Sequence, residues 1–233
     1  MLRRRAHVPL LAALLTAGAC DPSLAPIEVG PGCPQQPLRG PEQFALAAPM
    51  DRLIDDFESG DDSLPRIGGR TGAWIVGYDL SSELPKADIL SSCVARGSFA
   101  GHFTGAGFTS WGANWTAVLK SGTAVPFDAT AYSAISFWAA VGGNAAAPYK
   151  IPMGVTTTEV AWNGGMCTMC MDFFRTTVTL SQSWQRVVIP FSSLAQAGWG
   201  VPQVSLRRDQ LVGFIMWPDH QFDIWIDDVR FEP

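Results

Sequence analysis

Short apolar runs, each ended by a turn-forming cluster, are the feature that most constrains the fold of this 233-residue chain. Clusters such as Ser59-Gly60-Asp61-Asp62 and Gly142-Gly143-Asn144 separate the runs. Charged residues make up only 16% of the chain, which is too few for long amphipathic helices. The pattern predicts one all-β domain over 51–233, with strands at 52–58, 73–79, 97–104, 115–120, 133–141, 150–157, 173–180, 184–191, 210–217 and 222–231.

Alternation within these strands predicts which side chains point away from the core, because successive residues of a strand face opposite sides. In four strands, one aromatic or cationic residue is out of phase with the apolar positions around it: His102, Trp138, Arg175 and Trp225. We expect these four residues together on the outer face of one sheet. They form either an exposed platform there or a layer covered by a loop or by the N-terminal segment.

The last strand shifts phase along its length. Ile224 and Ile226 face one side, whereas Val229 and Phe231 are out of phase with them. One extra residue in a strand restores the phase, so a β-bulge is predicted at Asp227-Asp228.

The first fifty residues differ in character from the rest. Three arginines at 3–5, an apolar run at 8–15 and small residues at 17–19 predict a signal peptide over 1–19. The Leu-Thr-Ala-Gly-Ala-Cys segment at 15–20 resembles a bacterial lipobox, which implies a lipid on Cys20 and a membrane anchor. Plain secretion and an uncleaved anchor are the alternatives. Seven prolines over 20–50 predict an extended tether.

Four cysteines remain after Cys20. In an exported chain they predict up to two disulfides, for which three pairings are open. We favour Cys167 with Cys170 and Cys33 with Cys93. A redox pair, or half of a zinc site completed by histidines, is the alternative for the Cys167-Thr168-Met169-Cys170 segment.

The net charge argues against nucleic acid as a partner. Loss of the three N-terminal arginines takes the charge from −5 to −8, and no basic stripe is present. The sequence contains no nucleophile motif or nucleotide loop, so a non-enzyme is expected. A glycoside hydrolase, with Asp172 and Asp223 as its acids, is the alternative.

Three segments together resemble a known family. They are Leu53–Glu58, then Trp184–Leu194 followed by Gly198-Trp199-Gly200, and Phe222–Val229. The set resembles galactose-binding-like jelly rolls, in particular family 11 carbohydrate-binding modules and the complex I intermediate-associated protein 30 domain. The resemblance implies a two-sheet antiparallel jelly-roll β-sandwich with a ligand cleft on one face.

The resemblance also implies a function. We expect non-catalytic binding of a polysaccharide, with Trp138 and Trp225 stacking on sugar rings. His102 and Arg175 would donate hydrogen bonds to hydroxyl groups. The expected rim contacts are Trp74, Tyr78 and Trp162. The assembly-factor resemblance implies a protein partner as the alternative.

A structural calcium ion is the expected cofactor. The first and last strands bring acidic residues to one end of the domain if the two strands are neighbours. Calcium binds clusters of hard oxygen ligands, and the expected ligands are Asp56, Glu58 and Asp228. Turn caps and solvated charges are the alternative role for these acids.

Overall fold

Two antiparallel sheets face each other in a computed structural model that describes residues 32–35, 50–143, 145–161, 167 and 170–233. Short 3-10 helices lie at Met50–Arg52, Phe191–Ser193 and Arg208–Gln210. The described strands are β1 (Leu53–Asp55), β2 (Trp74–Tyr78), β3 (Lys86–Leu90), β4 (Ala100–Gly105), β5 (Ala113–Val118), β6 (Ala134–Val141), β7 (Tyr149–Thr157), β8 (Phe174–Leu180), β9 (Gln185–Pro190), β10 (Leu211–Met216) and β11 (Phe222–Glu232).

The six-stranded sheet has the order β3-β4-β11-β6-β9, with β1 paired to β11. The five-stranded sheet has the order β2-β5-β10-β7-β8. The expected two-sheet jelly-roll sandwich is therefore confirmed. All ten predicted strands correspond to observed ones, and β3 is the strand that the sequence pattern did not predict.

The core between the sheets is rich in aromatic rings, as the strand alternation predicts. Trp74 and Trp115 from the five-stranded sheet lie with ring centroids 4.6 Å apart. Phe103 from the six-stranded sheet packs 5.5 Å from Trp115. Truncating a buried aromatic residue of this kind to alanine costs about 3–5 kcal/mol.

The predicted bulge in the last strand is confirmed. Asp227 pairs with Trp138 and Arg230 pairs with Ser136, so the register shifts between them. Asp228 has a φ of 51°, a left-handed conformation that the extra residue adopts. The bulge lets Ile224 and Val229 both face the core.

Both favoured disulfides are confirmed, Cys33 with Cys93 and Cys167 with Cys170. The first disulfide joins a segment of the predicted tether to the domain. Cys20 and the predicted signal peptide lie outside the described residues. Within the described ranges, no helix has the length and apolar character needed to cross a membrane.

Candidate functional site

The expected tryptophan platform lies on the predicted outer face but is covered. His102, Trp138 and Trp225 occupy neighbouring strands of the six-stranded sheet, and the rings of His102 and Trp225 stack with centroids 3.9 Å apart. Trp138 is only 8% exposed and Trp225 only 3%. A sugar ring cannot reach their faces in this structure. The assignment of these tryptophans as an exposed platform was therefore wrong, and the covered alternative describes them.

The cover consists of residues 32–35 and the loop 91–97, joined by the Cys33–Cys93 disulfide. Gln35 forms a parallel bridge to Ser183, which holds the first segment beside β9. In the loop, the backbone N–H groups of Ala95 and Arg96 donate to the Asp227 carboxylate at 3.0 and 2.8 Å. The cover thus packs as a third layer on the six-stranded sheet.

The other expected sugar contacts are dispersed. Arg175 lies in β8 of the opposite sheet, because alternation predicts the orientation of a side chain but not its sheet. Trp74 is buried in the core, where its indole N–H donates to Asp55 at 2.7 Å. Trp162 lies outside the described residues. Tyr78 lies in β2 of the five-stranded sheet, away from the platform that it was expected to flank, and it lines the cavity described next.

A cavity of about 590 Å³ lies on the outer face of the five-stranded sheet. Its floor comes from strand positions that alternate with core residues, namely Ile75, Gly77, Asn114, Thr116, Val118, Thr156 and Val212. Its other lining residues include no Asp, Glu, Lys, Arg or His. A cavity of this size and composition suits an uncharged ligand with apolar faces.

Three tryptophans form the aromatic part of the lining together with Tyr78. Trp111 and Trp199 are 42% and 44% exposed, so their faces are accessible to a ligand. Trp217 is half-buried, packs edge-on against Trp111 at 5.3 Å and stacks on Phe173 at 5.3 Å. Its indole N–H donates to the Trp111 carbonyl at 2.7 Å, which fixes the two residues relative to each other.

Polar groups lie between these rings. The Thr116 hydroxyl donates to the Asn114 side-chain oxygen at 3.2 Å, and both residues line the cavity floor. Gly77 lies opposite Asn114 in the sheet, and a Cβ at this glycine would come within 2.8 Å of the Asn114 amide. Flat indole faces beside a few amide and hydroxyl groups can both stack on a sugar ring and bond its hydroxyls.

The residues expected to bind calcium do not form a metal site. β1 does pair with β11, as that expectation required. However, Asp228 is paired with Arg96 at 3.4 Å and with Arg230 at 2.5 Å, and these cations oppose a metal ion. Glu58 accepts the backbone N–H groups of Ser98 and Phe99. No group of three His, Cys, Asp or Glu residues suited to a metal occurs among the described residues.

Asp56 stands in the turn after β1, where its carboxylate accepts the Glu58 backbone N–H at 3.4 Å. The turn-cap alternative therefore describes Asp56 and Glu58 better than the calcium expectation does. Asp56 and Glu58 thus hold backbone N–H groups and Asp228 pairs with two arginines, so the three acids are not grouped around one point as calcium ligands would be.

The two acids considered for a hydrolase have separate structural contacts. Asp223 lies in β11 of the six-stranded sheet and contacts the His102 ring nitrogen at 2.8 Å. Asp172 precedes β8 of the other sheet and accepts three backbone N–H groups. Two carboxyl groups on opposite sides of one glycosidic bond are what such an enzyme needs, and these two residues do not form that pair.

The sequence interpretation did not identify Trp111, Trp199 and Trp217 as site residues. Trp111 and Trp199 lie in loops, where strand alternation carries no information. A local signal was nevertheless present, since each of these two tryptophans is followed by a glycine. Loops run over the surface and often carry binding residues, so a tryptophan in a glycine-containing loop is a candidate ligand contact.

Neither a protein-family model nor a curated relative matches the sequence. Several solved structures match the chain by fold. The family 11 carbohydrate-binding module of the cellulosomal cellulase Lic26A-Cel5E of Clostridium thermocellum matches 80% of this chain and 96% of its own, with 17% identity and a TM-score of 0.54. The family 11 module from Clostridium thermocellum in complex with a β-1,3-1,4-mixed-linked tetrasaccharide matches 78% of this chain and 94% of its own, with 17% identity and a TM-score of 0.56. The chain therefore has the jelly-roll fold of these carbohydrate-binding modules.

Proposed function

We propose that the chain is a non-catalytic carbohydrate-binding protein that holds a polysaccharide in the cavity on its five-stranded sheet. The observation that carries the proposal is the pair of exposed tryptophans, Trp111 and Trp199, beside a sheet floor in which Asn114, Thr116 and Thr156 stand among apolar side chains. The fold shared with carbohydrate-binding modules supports it.

The ligand that fits this cavity is an uncharged glycan. The lining offers indole faces, amide and hydroxyl groups, but no cation to pair with a uronate or a sulfate. A neutral β-glucan has both an apolar ring face and hydroxyl groups at its edges, which match these two kinds of lining group.

The direct test is binding of the full-length chain, carrying Cys20→Ser to prevent lipidation, to a panel of soluble polysaccharides. The first probe is the β-1,3-1,4-mixed-linked tetrasaccharide that the solved neighbour binds. We expect Trp199→Ala to weaken binding by at least about fivefold, because exposed aromatic anchors dominate binding at such sites. Isothermal titration calorimetry measures the affinity.

Val188→Ala is the control, because Val188 is an exposed apolar residue on the other sheet. It should leave the affinity unchanged. Binding of neutral and anionic polymers that survives both Trp111→Ala and Trp199→Ala would show that the cavity is not the site. Release of reducing ends from a bound glycan would overturn the non-catalytic part of the proposal.

We also propose that the chain is exported and anchored to a bacterial membrane by a lipid on Cys20. The two disulfides support export, since disulfides persist in oxidising compartments. Labelled palmitate should be incorporated into the wild-type chain and not into Cys20→Ser. Equal incorporation into both would contradict the anchor at this residue.

A further inference from the structure

The two exposed tryptophans of the cavity share a local arrangement that is absent from the sequence pattern. In each case, the residues directly before and after the tryptophan donate their backbone N–H groups to the same carboxylate oxygen. At Trp111 the donors are Ser110 and Gly112, and the acceptor is Asp79 Oδ2 at 3.1 and 2.8 Å. At Trp199 the donors are Gly198 and Gly200, and the acceptor is Asp172 Oδ2 at 2.9 and 3.0 Å.

From this repeated geometry we infer that Asp79 and Asp172 are positioning residues that present Trp111 and Trp199 to the ligand. The inference rests on the proposed function. Neither carboxylate lines the cavity, so each acts through the tryptophan loop that it holds. Holding the peptide groups on both sides of a ring restricts the backbone that carries it, which lowers the entropy lost when the ring contacts a sugar.

Further contacts strengthen the arrangement at Trp199. Asp172 is buried, and its Oδ1 accepts the Ala197 N–H at 2.8 Å. The Gln196 side-chain amide donates to the Asp172 carbonyl at 2.9 Å. Gly198 has a φ of 91°, a conformation that glycine adopts without strain. One buried side chain thus organises the backbone around Trp199.

The arrangement at Trp111 is built from the end of β2. Asp79 Oδ1 accepts the backbone N–H and the hydroxyl of Ser81 at 2.9 and 2.5 Å, which fixes the carboxylate. The backbone N–H of Asp79 donates to the Gly112 carbonyl at 3.0 Å. Gly112 has a φ of 85°. The carboxylate and the backbone of one residue therefore both hold the loop that follows Trp111.

Both acids are in the acceptor form at neutral pH. Partial desolvation acts to raise the pKa of Asp79, but hydrogen bonds from Ser81, Gly112 and Ser110 outweigh it and lower the pKa to about 2. Desolvation also acts to raise the pKa of Asp172. Hydrogen bonds from the N–H groups of the loop outweigh this effect, so the pKa is lowered. An ionised carboxylate accepts hydrogen bonds at both oxygens, whereas an asparagine amide does so at only one.

The test uses Asp79→Asn and Asp172→Asn in the full-length chain with Cys20→Ser. Asp128→Asn is the matched control, because the Asp128 carboxylate also holds a turn, at Thr130, but no tryptophan. The first readout is the set of indole N–H signals in a ¹H–¹⁵N spectrum, assigned with Trp111→Phe and Trp199→Phe. Asp172→Asn should move the Trp199 signal, Asp79→Asn the Trp111 signal, and Asp128→Asn neither.

The second readout is affinity for the mixed-linked tetrasaccharide. Each of the two variants should weaken binding at least about fivefold, as loss of an anchor does. Adding Asp172→Asn to Trp199→Ala should cause no further loss, because a positioning residue has nothing left to position. A further loss of the same size would overturn the inference.

Because the indole spectra need no ligand, they distinguish the two proposals. If the wild-type chain binds no glycan, the proposed function fails. The positioning role is then overturned if the indole signals do not move in Asp79→Asn and Asp172→Asn. Moved signals with unchanged affinity in a chain that does bind would also overturn it. If Asp172→Asn does not fold, Asp79→Asn decides the question, because Asp79 is only half-buried whereas Asp172 is fully buried.

Discussion

At the scale of single residues, the described tryptophans divide by what covers each ring. Trp74 and Trp115 lie in the core between the sheets. Trp138, Trp184 and Trp225 lie beneath the cover formed by residues 32–35 and 91–97. The other three, exposed Trp111 and Trp199 and half-buried Trp217, lie outside both layers at one cavity. Tryptophan content alone therefore says little about binding, since most of these rings stabilise the fold.

One buried acid makes stability depend on pH. Burial raises the pKa of Asp227 to about 8, against the N–H groups of Arg96 and Ala95 that lower it, with Asp228 raising it further. Between about pH 4 and 8 the unfolded chain is ionised at this residue while the folded chain keeps its proton. The folded state then binds more protons, so this residue's contribution to stability is lost as the pH rises.

We therefore expect Asp227→Asn, which cannot ionise, to gain stability relative to the wild type between pH 5 and pH 8.5. The relative gain should be on the order of 4 kcal/mol, about three pH units at 1.4 kcal/mol each. Urea denaturation at the two pH values measures the free energy of unfolding. Asp128→Asn is the control. Hydrogen bonds from Thr130 lower the pKa of Asp128, so this residue is already ionised at pH 5 and adds no pH dependence to stability between pH 5 and pH 8.5. Equal pH slopes for wild type and Asp227→Asn would contradict the expectation.

The sequence predicted side-chain orientation well at this scale and accessibility poorly. Alternation correctly placed His102, Trp138 and Trp225 on the outer face of one sheet. It could not predict that a segment more than sixty residues away in the chain covers them, because the cover depends on a disulfide and on long-range hydrogen bonds. The face to which a side chain points is a local property of its strand, whereas its exposure depends on the tertiary structure.

At the scale of elements, the predictable strands are those whose apolar faces are buried. All eight residues of β6 are buried, and its apolar run is evident in the sequence. β3 was not predicted because it is an edge strand with a polar pattern, Lys-Ala-Asp-Ile-Leu, and no fully buried residue. Charged edge strands protect a sheet from further pairing, and the same charges hide them from hydrophobic periodicity.

The cover is the element whose removal is most informative. Replacing Cys33 and Cys93 with serine should lower the free energy of unfolding by up to about 4 kcal/mol, the loop-closure value for cysteines 60 residues apart. The indoles of Trp138 and Trp225 should then become accessible to acrylamide, measured by fluorescence quenching. Affinity for glycan should not change, because the cavity lies on the other sheet.

The Cys167→Ser and Cys170→Ser pair is the contrasting variant. The two cysteines of that disulfide are three positions apart in the sequence, and Cys170 lines the cavity. A small loop contributes less to stability than the long loop closed by Cys33 and Cys93. Loss of glycan affinity in the Cys33 and Cys93 variant at full folding would show that the cover, and not only the five-stranded sheet, contributes to the site.

At the scale of the whole molecule, the two outer faces have different roles. The face of the five-stranded sheet carries the cavity, while the face of the six-stranded sheet carries the cover and receives the segment at Cys33. If a lipid is attached at Cys20, only 13 residues separate the membrane from the disulfide, which span at most about 45 Å. Thirty residues to Met50 would span about 100 Å.

With a lipid at Cys20, the disulfide would limit how far the domain can move from the membrane, and the chain would be held on the face opposite the cavity. On vesicles, we expect energy transfer from a label at the C-terminus to a dye in the bilayer to fall when Cys33 and Cys93 are replaced by serine. Replacing Cys167 and Cys170 should leave the transfer unchanged, since that pair does not restrain the N-terminal segment. Because a tether freed from the domain can extend to about twice its restrained length, equal transfer in both variants would show that the disulfide does not set the distance of the domain from the bilayer.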